Sequence, residues 1–160
     1  MPLKSRPDTR FAAIPPQWLL GPTGLAYDAS RDVLYVASTA DNKIFAVISA
    51  GKIQHGDGTG PVIYRDSLRL HGPLGLVLTP TGHLIVSNGD AVNADPRQPS
   101  TIVEFTPSGK FVGQLSIDPN VDGAFGIALT TGAENSLRFA AVNDNTNAVL
   151  VWSLQARGPH

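Results

Sequence analysis

The sequence predicts an all-β molecule built of propeller blades. Three observations carry that prediction: a repeated glycine phrase, its constant spacing, and strand-like patterning between the copies. Gly21-Pro22-Thr23-Gly24-Leu25-Ala26 opens the first copy, Gly72-Pro73-Leu74-Gly75-Leu76-Val77 the second and Gly123-Ala124-Phe125-Gly126-Ile127-Ala128 the third. From Gly24 to Gly75 is 51 positions, and from Gly75 to Gly126 is again 51. A period near 50 with strand content marks a repeat architecture of radially arranged sheets. Three blades are too few to close a ring. The expectation is therefore three four-stranded propeller blades per chain, with two chains closing a six-bladed β-propeller.

Each element follows in order. Residues 1–10 are polar and carry prolines, as a loose N-terminal tail does. Residues 11–20 form an apolar arm interrupted by Pro15-Pro16, which suits an edge strand and not a central one. Residues 21–154 hold the three blades. In copy one, strands are expected at 23–28, 33–38, 44–49 and 62–65. Val33, Leu34, Tyr35 and Val36 are consecutive and apolar, the mark of a strand covered on both faces. Copy two repeats the order at 74–79, 83–87, 101–105 and 110–115, with a long middle loop over 88–100. Loops of that length in compact domains are often functional. Copy three offers 125–130, 136–142 and 147–154, then only the short tail 155–160. It lacks a fourth strand. The arm at 11–20 is expected to fill that place in a partner's third blade, with Trp18 and Trp152 packing together there. Such an exchange is isologous and closed, and it removes an exposed sheet edge.

Composition narrows the function. The chain has 160 residues, 42 % of them apolar, with 12 Lys+Arg against 13 Asp+Glu. With no basic stripe, nucleic acid is not an expected partner. No apolar run is long enough to span a membrane. No signal peptide is visible, which leaves localisation open. The absence of cysteine removes disulfides, thiolate metal sites and a cysteine nucleophile.

The phrase Gly21-Pro22-Thr23-Gly24-Leu25-Ala26-Tyr27-Asp28, with Leu34-Tyr35-Val36-Ala37-Ser38 and Asp41-Asn42-Lys43-Ile44, resembles the NHL repeat of β-propellers. More distantly it is similar to the gluconolactonase-like and strictosidine-synthase-like propellers. Copy two keeps Gly82-His83-Leu84-Ile85-Val86-Ser87 and Ile102-Val103-Glu104-Phe105, and its Pro107-Ser108-Gly109-Lys110-Phe111-Val112 is similar to the family's last hairpin. Copy three matches mainly in Phe125-Gly126-Ile127-Ala128 and Ala148-Val149-Leu150-Val151-Trp152. The resemblance specifies a fold and not an activity, because these propellers include scaffolds, lyases and hydrolases.

In propellers the loop opening each blade and the loop after its second strand share one rim of the central channel. Aligning the copies puts Ser38, Asn88 and Asn143 at equivalent strand ends on that rim, with Asp90, Asp95 and Asp144 just beyond. Ser38, Asn88, Asp90, Asn143 and Asp144 are the candidate ligand-binding residues. Amide and carboxylate oxygens suit Ca²⁺ or another hard divalent metal. The gluconolactonase-like resemblance implies one metal at this rim, with Asn88, Asn143 and Asp144 as its candidate ligands. No Glu stands at the matching opening of any copy. The same Asn and Asp residues equally make turns and cap strand ends. His71, in the loop before Gly72, is the candidate general base; a hydrogen bond within its own loop is the alternative. Gly56-Asp57-Gly58-Thr59-Gly60 lacks the Lys-Ser or Lys-Thr of a phosphate loop and reads as a hairpin.

The leading expectation is an NHL-like homodimeric scaffold binding a small ligand or peptide at the channel rim, with 88–100 as a lid. The alternative is a divalent-metal-dependent lactone hydrolase or lyase.

Overall fold

The computed structural model describes residues 11, 13–89, 95, 97, 99–132 and 136–154. The tails 1–10 and 155–160, Asp90 and most of loop 88–100 lie outside the described residues. Three antiparallel sheets follow one another along the chain. The first contains β1 (Pro16–Trp18), β2 (Pro22–Asp28), β3 (Val33–Ser38), β4 (Lys43–Ile48) and β5 (Thr59–Arg65), in the spatial order β1-β5-β4-β3-β2. The second is β6 (Pro73–Leu78), β7 (Leu84–Asn88), β8 (Thr101–Phe105) and β9 (Phe111–Ser116), and the third β10 (Ala124–Thr131), β11 (Leu137–Asn143) and β12 (Ala148–Leu154), each in sequence order. This is the architecture of propeller blades. The expected strands are all present, most within a residue or two of their expected bounds, β5 beginning three residues early. The longest departures from regular pairing are where the repeat phrase stands.

That departure has one physical cause, repeated. The first strand of each blade changes register in the phrase itself, between Pro22 and Leu25, Pro73 and Leu76, and Ala124 and Ile127. A bulge there bends the strand toward the next blade. The second glycine lets two backbones meet. A methyl on Gly24 would lie 2.3 Å from the Leu74 carbonyl oxygen, and one on Gly75 would lie 2.9 Å from the Phe125 carbonyl oxygen. The innermost strands β2, β6 and β10 thus pack side by side in turn.

Two cores result. Between blades one and two, Tyr35, Ile44, Leu84, Val86, Val103 and Phe105 are fully buried. Tyr64 stacks on Phe105 with ring centres 4.2 Å apart. Between blades two and three the core is smaller, with Ile102, Ala124, Phe139 and Ala141 buried and Trp152 stacked on Phe139 at 5.6 Å.

The arm departs from expectation. Residues 16–18 pair with β5 of their own first blade, Pro16 opposite Pro61 and Trp18 opposite Thr59. Phe11 is 3 % exposed in the core of blades one and two. The arm therefore has a place within its own chain. It sits on the outer edge of blade one, where prolines are tolerated because that side donates nothing further. Trp18 lies there 68 % exposed against Gly58, apart from Trp152.

Candidate functional site

Each second strand ends in a buried polar residue: Ser38 on β3, Asn88 on β7 and Asn143 on β11. Their first task is local. The Leu20 N–H donates to Ser38 Oγ at 3.0 Å, and the Ser38 hydroxyl has two acceptors, Asp41 Oδ1 at 2.5 Å and the Leu20 carbonyl at 2.9 Å. One blade on, the His71 N–H donates to Asn88 Oδ1 at 3.2 Å, while Asn88 Nδ2 donates to the Arg69 carbonyl at 2.5 Å and to Thr101 Oγ1 at 3.1 Å. The next residue in each case fastens the blade's opening glycine. Thr39 N–H donates to Gly21 O, Gly89 N–H to Gly72 O and Asp144 N–H to Gly123 O. The equivalent rim positions are thus latches that hold the opening loops. A buried loop backbone needs such partners.

Blade three differs. Asn143 Nδ2 donates to Asp118 Oδ2 at 2.8 Å, and Asn143 Oδ1 is buried without a hydrogen-bond partner. Asp118 also accepts from the Asn120 N–H at 2.8 Å and from Asn145 Nδ2 at 3.3 Å. The hydrogen bond from Asn143, then that from the Asn120 backbone, hold the Asp118 carboxyl below the usual carboxylate range. Ser100 completes the cluster, donating to the Asn120 carbonyl at 2.7 Å and accepting from the Gly123 N–H at 2.6 Å. Sequence reasoning missed Asp118, Asn120 and Ser100. The available signal was the turn-forming run Asp118-Pro119-Asn120 just before the opening phrase.

His71 stands in the opening loop as expected, with its Nε2 buried and without a hydrogen-bond partner. Its own backbone N–H serves the Asn88 latch. Nearby, Arg97 bonds the Asp95 carboxylate through two nitrogens at 2.9 and 3.0 Å, and that contact above all holds the Asp95 carboxyl at about 2. Asp144 is exposed. His83 lies on the far side of the blade, 2.7 Å from Glu104 Oε1.

Blade one carries a groove of about 580 Å³ between its β3–β4 turn and the loop that follows β5. Asp41, Asn42 and Lys43, after β3, form one wall; Arg65, Asp66, Ser67 and Leu68, after β5, form the other. Lys43 Nζ pairs with Asp41 Oδ2 at 2.8 Å and Arg69 with Asp66 at 2.8 Å. Burial works to raise the Asp66 carboxyl, but hydrogen bonds from Arg69, the Leu68 N–H and the Tyr64 hydroxyl hold it below the usual range. Asn42, in the left-handed region at φ 53°, accepts the Gly72 N–H at 2.7 Å and fixes the floor.

A divalent ion fits these residues poorly. Among the described residues no group of three His, Asp or Glu side chains converges. Asn88 uses both ends of its amide, and the Ser38 hydroxyl is held by Leu20 and Asp41. Only Asn143 Oδ1 offers an uncommitted oxygen among the three strand ends, and one neutral donor does not hold Ca²⁺.

No protein-family model and no curated protein matches the sequence. Solved structures do. A calcium-binding protein, regucalcin, from Agrobacterium tumefaciens is 15 % identical, with a TM-score of 0.56 over 84 % of this chain and 45 % of that one. A luciferin-regenerating enzyme is 14 % identical, with a TM-score of 0.53 over 88 % of this chain and 46 % of that one. A gluconolactonase from Xanthomonas campestris is 20 % identical, with a TM-score of 0.49 over 78 % of this chain and 35 % of that one. The fold is that of a β-propeller, of which this chain presents three blades. It spans less than half the length of each of these structures.

Proposed function

We propose that the chain is an NHL-type propeller scaffold that binds a small zwitterionic ligand or a peptide at the channel rim. The carrying observation is the groove of about 580 Å³ at the loops of blade one, where a wall bearing Asp41 and Lys43 faces a wall bearing Arg65 and Asp66, so that each wall carries both signs of charge. Mixed charge on a wall that is already latched suits a ligand bearing both an ammonium and a carboxylate, because its own charges replace water on both sides. The rim latches support this reading. They make Ser38 and Asn88 positioning residues that keep the groove's loops in place.

Diglycine is a direct probe. Titrated into isotope-labelled protein, it is expected to shift the amide resonances of residues 41–43 and 65–68 together. Arg65→Ala should weaken binding about tenfold, the loss of one charge-assisted hydrogen bond. Shifts scattered over the surface, or an unaltered affinity in the variant, would dismiss the groove. The same sample assayed on gluconolactone with Ca²⁺ tests the enzymatic alternative. Turnover that disappears in Asn143→Ala would replace the scaffold reading with a hydrolase.

A further inference from the structure

Both junctions between blades in this chain are built alike, and one unmatched half of that junction stands at each side of the arc. At blade one, Gly24 admits the backbone of β6, and at blade two, Gly75 admits that of β10. Gly126 is the third copy of the same glycine. Among the described residues, a methyl there would meet only Val142 of its own blade, at 3.6 Å. The space that another innermost strand would enter is open.

The flanks repeat the pattern. Blade one meets blade two through Ala26, Tyr35, Ala37, Ile44 and Ala46, all buried. By strand register, blade three offers Ala128, Ala140, Val142, Val149 and Val151 at those positions. Among the described residues nothing covers the outer part of this flank: Val149 is 64 % and Val151 60 % exposed, while Ala140 and Val142 are half-buried. The receiving side is repeated as well. Blade two receives blade one on Leu76, Leu84, Val86, Val103 and Phe105, all buried. The matching residues of blade one are Leu25, Leu34, Val36, Phe45 and Val47. Val36 and Phe45 are covered within the chain, but Leu25 is 59 % exposed. Leu34 and Val47 line an apolar groove of about 440 Å³ walled by Leu19 and Ile53. A polar contact completes the set. Asn42 accepts the Gly72 N–H across the first junction, and Asn147, exposed and also left-handed at φ 52°, stands at the equivalent place on blade three.

We propose that the partner of these flanks is a second copy of this chain. The free flank of blade three in each copy seats on the free flank of blade one in the other, and the Gly21 N–H of the partner reaches Asn147. The two-fold pair makes both junctions at once and leaves no flank open, closing a six-bladed ring. Area supports the pair. A three-stranded face such as that of blade three is roughly 240 Å², so two junctions bury roughly 1,000 Å², the least that a specific interface needs. No strand has to be exchanged, because β1 remains on its own β5. The inference concerns the blade flanks and stands apart from ligand binding at the groove.

Light scattering on the 160-residue chain tests it. The expected mass is about twice the 16.9 kDa of one chain. Val151→Lys and Leu25→Glu, both at exposed positions, should each give a single-chain mass with an unchanged circular dichroism spectrum. Mixing the two variants should restore the double mass. One junction is then native, and the other sets Lys against Glu. Should Val151→Lys lose its fold, Asn147→Ala replaces it, with dissociation expected about threefold stronger or more. A folded single chain in the native sequence overturns the proposal, as do soluble aggregates lacking a two-copy species. A pair that survives Leu25→Glu, or variants that do not complement, also overturns it, since either result means a different surface or further blades of another chain.

Discussion

Gly24 and Gly126 occupy the same place in the repeat and have opposite surroundings. At Gly24 the nearest neighbour of an added methyl is backbone, the Leu74 carbonyl oxygen at 2.3 Å, which cannot swing aside. Gly24→Ala is expected to destabilise by about 2–3 kcal/mol, the usual cost of forcing atoms into a packed contact. Gly126→Ala should stay within about 0.5 kcal/mol for the single chain. Urea denaturation of both, in the Val151→Lys background that separates the copies, measures the difference; equal losses would mean that neither glycine serves blade approach. Asp28 makes a second residue-level case. Burial works to raise its carboxyl, and hydrogen bonds from Ser30 and Arg31 reverse that and hold it below the usual range. A depressed carboxyl contributes stability above its unfolded value, about 4, and loses it as pH falls through the folded value. The urea midpoint should therefore hold steady down to about pH 5 and fall below about pH 4. Asp28→Asn should lower the plateau and flatten the acid limb; an acid limb unchanged by the substitution would assign it to other carboxylates.

At the scale of elements, the strands were legible because their signal is local. Runs such as Val33-Leu34-Tyr35-Val36 and turns such as Pro107-Ser108-Gly109 state their own conformation, and Gly82 and Gly109 both take φ 83° in the hairpins expected of them. The arm was legible only halfway. Pro15-Pro16 marks an edge strand wherever it goes, but which edge it joins depends on Phe11 reaching the core of blades one and two, and nothing near residue 11 encodes that distance. The rim was legible in position and not in role. Ser38, Asn88 and Asn143 could be aligned, yet partners that set their roles stand 17 and 25 positions away, as for His71–Asn88 and Asp118–Asn143. The position of the arm has a direct test. In chains kept apart by Val151→Lys, Phe11→Ala should cost about 3 kcal/mol, as truncating a buried phenylalanine does. An arm that belonged to a partner would be loose in the separated chain, and the substitution would then change nothing in thermal unfolding.

Over the whole molecule, the repeat conceals an inequality that the glycine period could not reveal. The core between blades one and two joins large side chains, including Tyr35, Tyr64, Leu70, Leu84 and Phe105. The core between blades two and three rests on Ile102, Ala124, Phe139 and Ala141, and its outer strand β12 has Val149, Val151 and Leu154 exposed. Fewer buried contacts mean cheaper local opening. Blade three should therefore open before the rest of the arc, and docking of a second copy on its free flank should oppose that opening by mass action. Hydrogen exchange followed by mass spectrometry reads both effects. In Val151→Lys, peptides from β11 and β12 should exchange well ahead of those from β3 and β7. In the native sequence, protection of β11 and β12 should rise with protein concentration while that of β3 and β7 barely moves. Exchange of blade three in step with β3 at every concentration would show instead that the three blades open as one cooperative unit, with the smaller core no weaker than the larger.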